Sequence, residues 1–177
     1  NLVKTAQMNM IMNNDGRGGL YSVNSLWKPS QWPNRQAYEE VELGSMDFVM
    51  ANPPFGTKIK VEGYEILEQY DLAHSWKKQD GKWVMEGIVK TAVSPEVLFI
   101  ERCVQFLKPG KGKLGIVLPD GILGNPDNEY IRYWIMANCQ VVASIDLPVE
   151  TFLPRTGTQT SVLVLRRKSE QEKLAES

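Results

Sequence analysis

Short apolar runs alternate with helix-like segments along most of this chain, and few architectures accommodate that order. The runs predict buried strands at 46–51, 114–118, 141–146 and 160–165. Helices are expected between them, from Ser94, the predicted N-cap, to about Leu107 and from Asn125 to about Asn138. Continuous apolar strands joined by helical connections are typical of a parallel α/β sheet covered by helices on both faces.

Less regular elements flank this alternation. A helix is expected at 2–12, a short strand at 19–23, and a loop with one helical turn at 27–45. The segment 56–93 is predicted to be an irregular functional loop, with Asp80-Gly81 as a hairpin tip. The tail from Lys168 onwards is polar and helix-prone.

Charge and cysteine content narrow the class of protein. The formal net charge of −1 is low for a chain that binds DNA through its own surface. Any phosphate contacts are therefore expected to come mainly from another domain or subunit. Cys103 and Cys139 form no motif, which predicts reduced core thiols in a cytoplasmic protein. No apolar stretch suggests a membrane span, and the start at Asn1 inside a helical pattern suggests a fragment.

Open α/β sheets bind ligands beyond the carboxyl ends of their strands. Three segments follow predicted strands and are therefore candidate sites: Asn24-Ser25, Asn52-Pro53-Pro54-Phe55 and the predicted turn Pro119-Asp120-Gly121. The single histidine, His74, has no cysteine cluster or second histidine near it in the sequence, so no metal site is expected.

The segment Asn52-Pro53-Pro54-Phe55 offers two fixed acceptors and a flat apolar ring. Each residue before a proline is restricted to extended geometry, so Asn52 and Pro53 are stiff. The Asn52 side chain and the Pro53 main chain each carry a carbonyl oxygen, and neither proline has an N–H that competes for it. Two adjacent acceptors match an exocyclic amine with two N–H donors, and Phe55 suits stacking on a planar base.

An exocyclic amine is a poor nucleophile because its lone pair is delocalised into the ring. Hydrogen bonds accepted from both N–H groups favour a tetrahedral nitrogen, whose lone pair then faces an electrophile. A base inside a duplex cannot reach such a site, so it has to be flipped out. The pattern thus indicates group transfer onto the amine of a flipped base. A rigid turn that merely ends a strand is the structural alternative.

The same four residues resemble the catalytic motif of amino-group DNA methyltransferases, which has Asp, Asn or Ser, then two prolines and an aromatic residue. With the downstream pattern, the chain is similar to the methyltransferase (M) subunit of type I restriction–modification systems, of the N-6 adenine-specific DNA methylase family. This resemblance runs from Leu2 to Lys168 and is weakest in 27–45 and 57–93. The segments that carry it are 6–14, 94–110, 115–121, 131–132, 145–148, Phe152, 156–157 and 161–165.

The resemblance implies a DNA adenine-N6 methyltransferase that takes its methyl group from S-adenosylmethionine, built on a Rossmann-like class I methyltransferase sheet. Double-stranded DNA, a DNA-specificity subunit and a restriction subunit are the implied partners. The implied site residues are, for the catalytic motif, Asn52, Pro53, Pro54 and Phe55, for the cofactor, Asn24 and Ser25, and for the base, Phe152 and Asp120. For Phe152 a core anchor is the alternative, and for Asp120 a plain turn.

The sequence departs from the family in the cofactor site. Family members have a glycine-rich loop after the first strand and an acidic residue after the second, and neither is found here. The sheet is therefore expected to be incomplete, without its first two strands. We expect a partial catalytic domain at 1–168, a polar tail at 169–177, and weak cofactor binding without activity for the chain alone.

The same departure predicts an open sheet edge. The two strands in question would lie between those at 19–23 and 46–51, so the strand at 46–51 should present an unpaired edge. Such an edge should be covered by rearrangement or by another chain, which makes a homo-oligomer one possibility.

Two other functions stay open at this stage. A similar motif occurs in protein glutamine-amide methyltransferases, since an amide nitrogen presents the same two donors, although the pattern from Leu118 onwards argues against this. The chain could also be a non-catalytic scaffold of the same fold. Trp76 and Trp83 are expected to form a small hydrophobic cluster under the loop rather than to contact a base.

Overall fold

The computed structural model describes residues 2–15, 18–56, 59–154 and 156–176. The chain divides into two compact units, 1–43 and 44–177. Within the described ranges, no helix has the length and apolar character that crossing a lipid bilayer requires.

The first unit is helical in its described part. It contains α1 (Leu2–Met12), a short 3-10 helix (Pro29–Gln31) and α2 (Arg35–Glu40), which Asn34 caps by accepting the Ala37 N–H at 3.0 Å. The predicted helix at 2–12 is confirmed. The predicted strand at 19–23 is wrong, because its described residues adopt no strand and join no ladder. A strand needs a hydrogen-bonding neighbour, and no described residue supplies one there.

The second unit holds eight strands and five helices within the described ranges. In chain order they are β1 (Phe48–Ala51), β2 (Val61–Glu62), α3 (Tyr64–Leu67), β3 (His74–Gln79), β4 (Lys82–Val89), β5 (Ala92–Val93), α4 (Pro95–Phe106), β6 (Lys113–Pro119), α5 (Asp120–Gly124), α6 (Glu129–Asn138), β7 (Cys139–Leu147), β8 (Thr160–Arg167) and α7 (Glu170–Glu176), with 3-10 helices at Asp71–Ala73, Pro126–Asn128 and Val149–Phe152.

The main sheet has four strands in the order β1-β6-β8-β7. β1 runs parallel to β6, but β8 runs antiparallel to both β6 and β7. The predicted all-parallel sheet is therefore wrong. The described residues of the connection 148–159 form a 3-10 turn and no crossover helix, so β8 returns in the opposite direction.

Helices α4 and α6 cover one face of this sheet. The connections β1–α4–β6 and β6–α6–β7 advance in the same direction across the sheet, and right-handed crossovers then place both helices on one side. On that face Leu114, Ile116 and Leu118 of β6 are fully buried, as is Leu165 of β8. In α6 the side chains of Ile131, Trp134 and Ile135 are buried.

The opposite face and the outer strands are open. Phe48 and Met50 of β1 are 72% and 89% exposed, and Val142 and Ile145 of β7 are exposed as well. The predictions that these two strands are buried and that both faces are covered are therefore wrong, because both are outer strands of the sheet. The predicted open edge is confirmed: in the part of the chain described, β1 pairs with β6 alone.

The segment 56–93 is more ordered than predicted. β3 and β4 form a hairpin, and Asp80 and Gly81 at its tip have φ values of 50° and 81°, as a type I′ turn requires. Trp76 and Trp83 pack on the ring of Tyr130 in α6, each with a centroid distance of 6.2 Å. The predicted hairpin tip and tryptophan cluster are confirmed.

Candidate active site at the carboxyl edge of the sheet

The carboxyl ends of β1, β6 and β7 lie at one edge of the main sheet, together with the start of the antiparallel β8. Open α/β sheets place ligands at this edge. The candidate residues that follow β1, β6 and β7 are thereby brought to one side of the second unit.

The motif Asn52-Pro53-Pro54-Phe55 begins directly after β1, which ends at Ala51. Asn52 is exposed, Pro53 is buried and Phe55 is half-buried. Among the described residues, none donates a hydrogen bond to the Asn52 side chain or to the Pro53 carbonyl. Both predicted acceptors are thus not consumed by the described part of the protein.

Pairing on both sides limits the motion of this motif. Upstream, β1 is hydrogen-bonded to β6, and downstream β2 pairs with β5 immediately before α4. Lys60 Nζ also donates to Ser94 Oγ at 2.7 Å. Ser94 occupies the N-cap position of α4 as predicted, but its side chain makes no capping hydrogen bond to the helix. Its hydroxyl instead ties the segment after the motif to the start of α4.

Phe55 and Phe152 contact each other. Their ring centroids are 5.9 Å apart and their planes are inclined at 86°, an edge-to-face arrangement that aromatic pairs favour. Phe152 lies in the 3-10 turn after β7 and is half-buried. Two residues separated by 97 positions, both predicted from the sequence as candidates for contact with a base, therefore form one aromatic wall.

Asp120 lies at the start of α5, not in the plain turn predicted for Pro119-Asp120-Gly121. Its Oδ1 accepts a hydrogen bond from Ser161 Oγ at 2.8 Å, and its N–H donates to the Gln159 carbonyl at 3.0 Å. Ser161 lies at the start of β8, and Gln159 directly precedes that strand. Asp120 therefore links the end of β6 to the beginning of β8 beside the motif.

Gln159 and Asp146 join this edge without having been singled out in the sequence. Gln159 Nε2 donates to Asp146 Oδ1 and to the Leu147 carbonyl, both at 2.9 Å. Their proximity depends on the antiparallel direction of β8, which brings its first residues beside the last residues of β7. The only available signal was the presence of polar residues at the ends of two apolar runs.

Asn24 and Ser25, the candidate cofactor residues, belong to the first unit. They lie in a turn rather than at the end of a strand. Asn24 Oδ1 accepts the Leu26 N–H at 3.1 Å, and its carbonyl accepts from the Trp27 N–H and the Trp32 indole N–H. The oxygens of Asn24 are thus already used within the turn.

Solved structures resemble this chain over most of its length. A protein described as a class I S-adenosylmethionine-dependent methyltransferase, from Listeria monocytogenes, matches with a TM-score of 0.53 and 22% identity, covering 72% of this chain and 33% of its own. A protein described as the modification subunit of a type I restriction enzyme from Vibrio vulnificus YJ016 gives 0.63 and 20%, covering 92% and 30%. The type I restriction enzyme EcoKI M protein gives 0.54 and 21%, covering 95% and 29%.

These likenesses establish the fold, a Rossmann-like class I methyltransferase sheet that is incomplete in this chain. The chain spans about a third of the length of each of these structures. Among curated proteins, none matches the chain significantly.

A family assignment follows from the sequence profile. The profile described as N-6 DNA Methylase matches residues 2–175, which is nearly the whole chain. It agrees with the resemblance drawn from the catalytic motif and the downstream pattern, and with the likeness to type I M proteins. The chain belongs to the N-6 DNA methylase family.

Proposed function

We propose that this chain is part of a DNA adenine-N6 methyltransferase, the M subunit of a type I restriction–modification system, and that it grips the amine of the target adenine. The observation that carries the proposal is the pair of acceptors at Asn52 and Pro53, to which no described residue donates, directly after a strand and next to the Phe55–Phe152 ring pair. Family membership and the likeness to type I M proteins support the same reaction class.

In the proposed reaction, Asn52 Oδ1 and the Pro53 carbonyl each accept one N–H of the adenine amine. Both acceptors are fixed by the geometry of the motif, so little reorganisation is needed as the amine nitrogen becomes tetrahedral. Phe55 stacks on the flipped base, and Phe152 bounds the pocket from a second side. The amine nitrogen would take a methyl group whose bond to the sulfur of its donor breaks in the same step, and it would then release one proton to solvent.

S-adenosylmethionine is the proposed methyl donor, and when bound it supplies an electrophilic methyl group. The described residues do not complete a site for it. Asn24 Oδ1 is already an acceptor for the Leu26 N–H, and the glycine-rich loop typical of the family is not found in this sequence. We therefore propose that the chain alone binds this cofactor weakly and is inactive, and no catalytic step is assigned to Asn24 or Ser25.

Double-stranded DNA is the proposed substrate, with DNA-specificity and restriction subunits as proposed partners in a cytoplasmic assembly. The net charge of −1 supports a role for other subunits in holding the DNA. Neutralising many phosphates requires an excess of basic residues, which this chain does not have. We propose that the assembly flips the base and that this chain binds the flipped base.

Product analysis tests the proposed function. The protein as its gene encodes it is incubated with methyl-labelled S-adenosylmethionine and adenine-containing duplex, and the DNA is digested to nucleosides. We expect the label in N6-methyladenine and none in a glutamine-containing release-factor-like protein offered in parallel. Label in the glutamine amide, or in cytosine, would overturn the assignment.

A further inference from the structure

Gln159 connects three strand ends at the candidate site. Its side-chain nitrogen donates to Asp146 Oδ1 and to the Leu147 carbonyl, each at 2.9 Å, and its own carbonyl accepts the Asp120 N–H at 3.0 Å. Asp120, which directly follows β6, is thus bound to the main chain of Gln159, and the end of β7 is bound to its side chain. Neither the catalytic motif nor the proposed cofactor residues include it.

The position of Leu147 determines where Phe152 lies. Only Pro148 separates Leu147 from the 3-10 turn, and a residue before proline is restricted to extended geometry. Within the turn, the Thr151 N–H donates to the Pro148 carbonyl at 2.9 Å, and the Thr156 N–H donates to the Phe152 carbonyl at 3.2 Å. This short connection has little freedom between the anchored Leu147 carbonyl and the ring of Phe152.

We propose that Gln159 is a positioning residue that sets Phe152 against Phe55. Resting on the proposed function, this assigns to Gln159 the fixing of the aromatic wall that a flipped adenine would meet. The residue acts only through Leu147 and the turn, and the amine itself is bound by the motif after β1. Loss of the anchor frees the turn, and the edge-to-face contact between the two rings is then no longer enforced.

A primary amide is the side chain that this position requires. Its nitrogen carries two hydrogens, one for the Asp146 carboxylate and one for the Leu147 carbonyl. Glutamate has the same shape but no donor when ionised, and it would place a second carboxylate beside Asp146. Methionine has a similar length, no donors and no charge.

The variants Gln159→Glu and Gln159→Met separate the loss of donors from the gain of a charge. Gln140→Glu is the matched control, because Gln140 lies in the same strand β7 as Asp146 but at its opposite end, where Arg166 Nε donates to its side chain. A carboxylate accepts that bond equally well, so the control adds the same charge without touching the turn.

The first readout needs no activity. In the 177-residue chain with isotopically labelled phenylalanine, the nuclear Overhauser contact between the Phe55 and Phe152 rings is measured, with circular dichroism as the check on folding. We expect a strong contact in the unmodified chain and in Gln140→Glu, and its loss in both Gln159 variants. If Gln159→Glu fails to fold, Gln159→Met decides, and an unchanged contact in a folded Gln159→Met variant overturns the proposal.

The second readout separates this inference from the proposed function. In the protein as its gene encodes it, both Gln159 variants should raise KM for duplex DNA about tenfold, the usual effect of one lost hydrogen-bonded anchor, with a smaller change in kcat. A loss of kcat in both Gln159 variants, with no change in KM for duplex DNA, overturns the positioning role. An unmodified enzyme that methylates no adenine contradicts the proposed function, whereas the ring contact still decides the role of Gln159.

Discussion

Rigidity of single residues explains the candidate site better than their chemical reactivity does. Neither Asn52 nor Pro53 titrates, and neither is a nucleophile, yet two carbonyl oxygens fixed side by side match the two donors of an amine. The prolines supply that fixation through the geometry they impose on the preceding residue. Placement directly after β1 brings both acceptors to the edge where ligands bind in this class of sheet.

Removing the Asn52 acceptor should slow methyl transfer. For Asn52→Ala we expect kcat to fall roughly 100- to 1,000-fold, in the range seen when one preorganised polar group is lost from an active site. Asn52→Asp keeps an acceptor oxygen and should retain clearly more activity than Asn52→Ala. The measurement is single-turnover methylation of adenine-containing duplex, and equal rates for the two variants would contradict an acceptor role.

Truncating Phe55 should weaken binding of the base. Stacking of a base on an aromatic side chain contributes about 1–3 kcal/mol, so Phe55→Ala should lower the affinity for a flipped base about 5- to 150-fold. Phe55→Trp keeps a flat ring and should largely preserve it. Fluorescence of 2-aminopurine at the target position reports flipping, and an unaffected signal in Phe55→Ala would exclude stacking on this ring.

At the level of elements, α4 anchors the segment that leads into the β3–β4 hairpin. Glu101 of α4 is 3% exposed and accepts the N–H groups of Asp71 and Leu72 at 3.1 and 3.0 Å. The adjacent Arg102, fully buried, donates through Nε to the Tyr70 hydroxyl at 2.9 Å. A hydrophobic helix thus carries two buried charged groups whose role is to hold a neighbouring loop.

The burial of Glu101 predicts a specific pH dependence of stability. Burial raises the pKa of Glu101 from 4.5 to about 7, so the folded state binds a proton between these values that the unfolded state does not. The stabilisation from this protonated Glu101 is fully present below pH 4.5 and is lost as the pH rises to about 7. At about 1.4 kcal/mol per pKa unit, the free energy of unfolding falls by roughly 3 kcal/mol over this range.

Denaturant unfolding of the chain from pH 5 to 8 tests this dependence. We expect the free energy of unfolding to fall with rising pH in the unmodified chain and to vary less in Glu101→Gln. Glu172 does not interfere, because the hydrogen bond from Arg166 lowers its pKa to about 2, and its contribution is lost only at pH below 4.5. Equal slopes in both proteins would show that Glu101 does not bind the proton.

The elements that could be predicted from the sequence are those specified by local pattern. The apolar runs at β6 and β8 and the helices α4 and α6 follow from periodicity and turn residues. The direction of β8 depends on the path of 148–159, and the exposure of β1 depends on its place in the sheet; neither is a local property. A strand at 19–23 would require a partner, which its own residues cannot supply.

The candidate site likewise contains residues that could be predicted from the sequence and residues that could not. Asn52-Pro53-Pro54-Phe55 is a contiguous motif, so its chemistry could be inferred from four neighbouring residues. Phe152 was also a candidate, and it contacts Phe55. Gln159 and Ser161 could not be predicted, because their contacts with Asp146 and Asp120 exist only if β8 is antiparallel. Roles in the reaction stay predictions for all of these residues.

For the molecule as a whole, the open edge and open face of the main sheet are the dominant surface property. Along one side of β1 no described strand pairs with it, and Phe48 and Met50 add exposed apolar area. Natural proteins cover or charge such edges, because they otherwise pair with another chain. The surface thus supports the prediction that the isolated chain associates through β1.

Sedimentation of the isolated chain tests association through β1. We expect concentration-dependent self-association that Met50→Lys reduces, since a lysine on an outer strand opposes pairing. Met12→Lys is the control, because Met12 is 77% exposed but lies in α1. A monomer at all concentrations, or an equal effect of both substitutions, would contradict association through this edge.

Calorimetry of the isolated chain with S-adenosylmethionine addresses the cofactor half of the site. We expect heat from binding to be weak or absent, because the described residues do not complete a cradle for the cofactor. Binding as tight as that of a complete methyltransferase would contradict the proposal that this chain carries only part of the site.

The most direct test of the account is whether Asn52 recognises the hydrogens of the adenine amine. Nuclear magnetic resonance shifts of the Asn52 side-chain amide and the Phe55 ring are followed while adenosine, and separately N6,N6-dimethyladenosine, is added to the chain. The account predicts saturable shifts at both residues with adenosine and a loss of the Asn52 shift with the dimethylated nucleoside, which stacks but has no amine N–H to donate. Identical Asn52 shifts with both nucleosides, or no shift with adenosine, would contradict binding of the adenine amine by this motif.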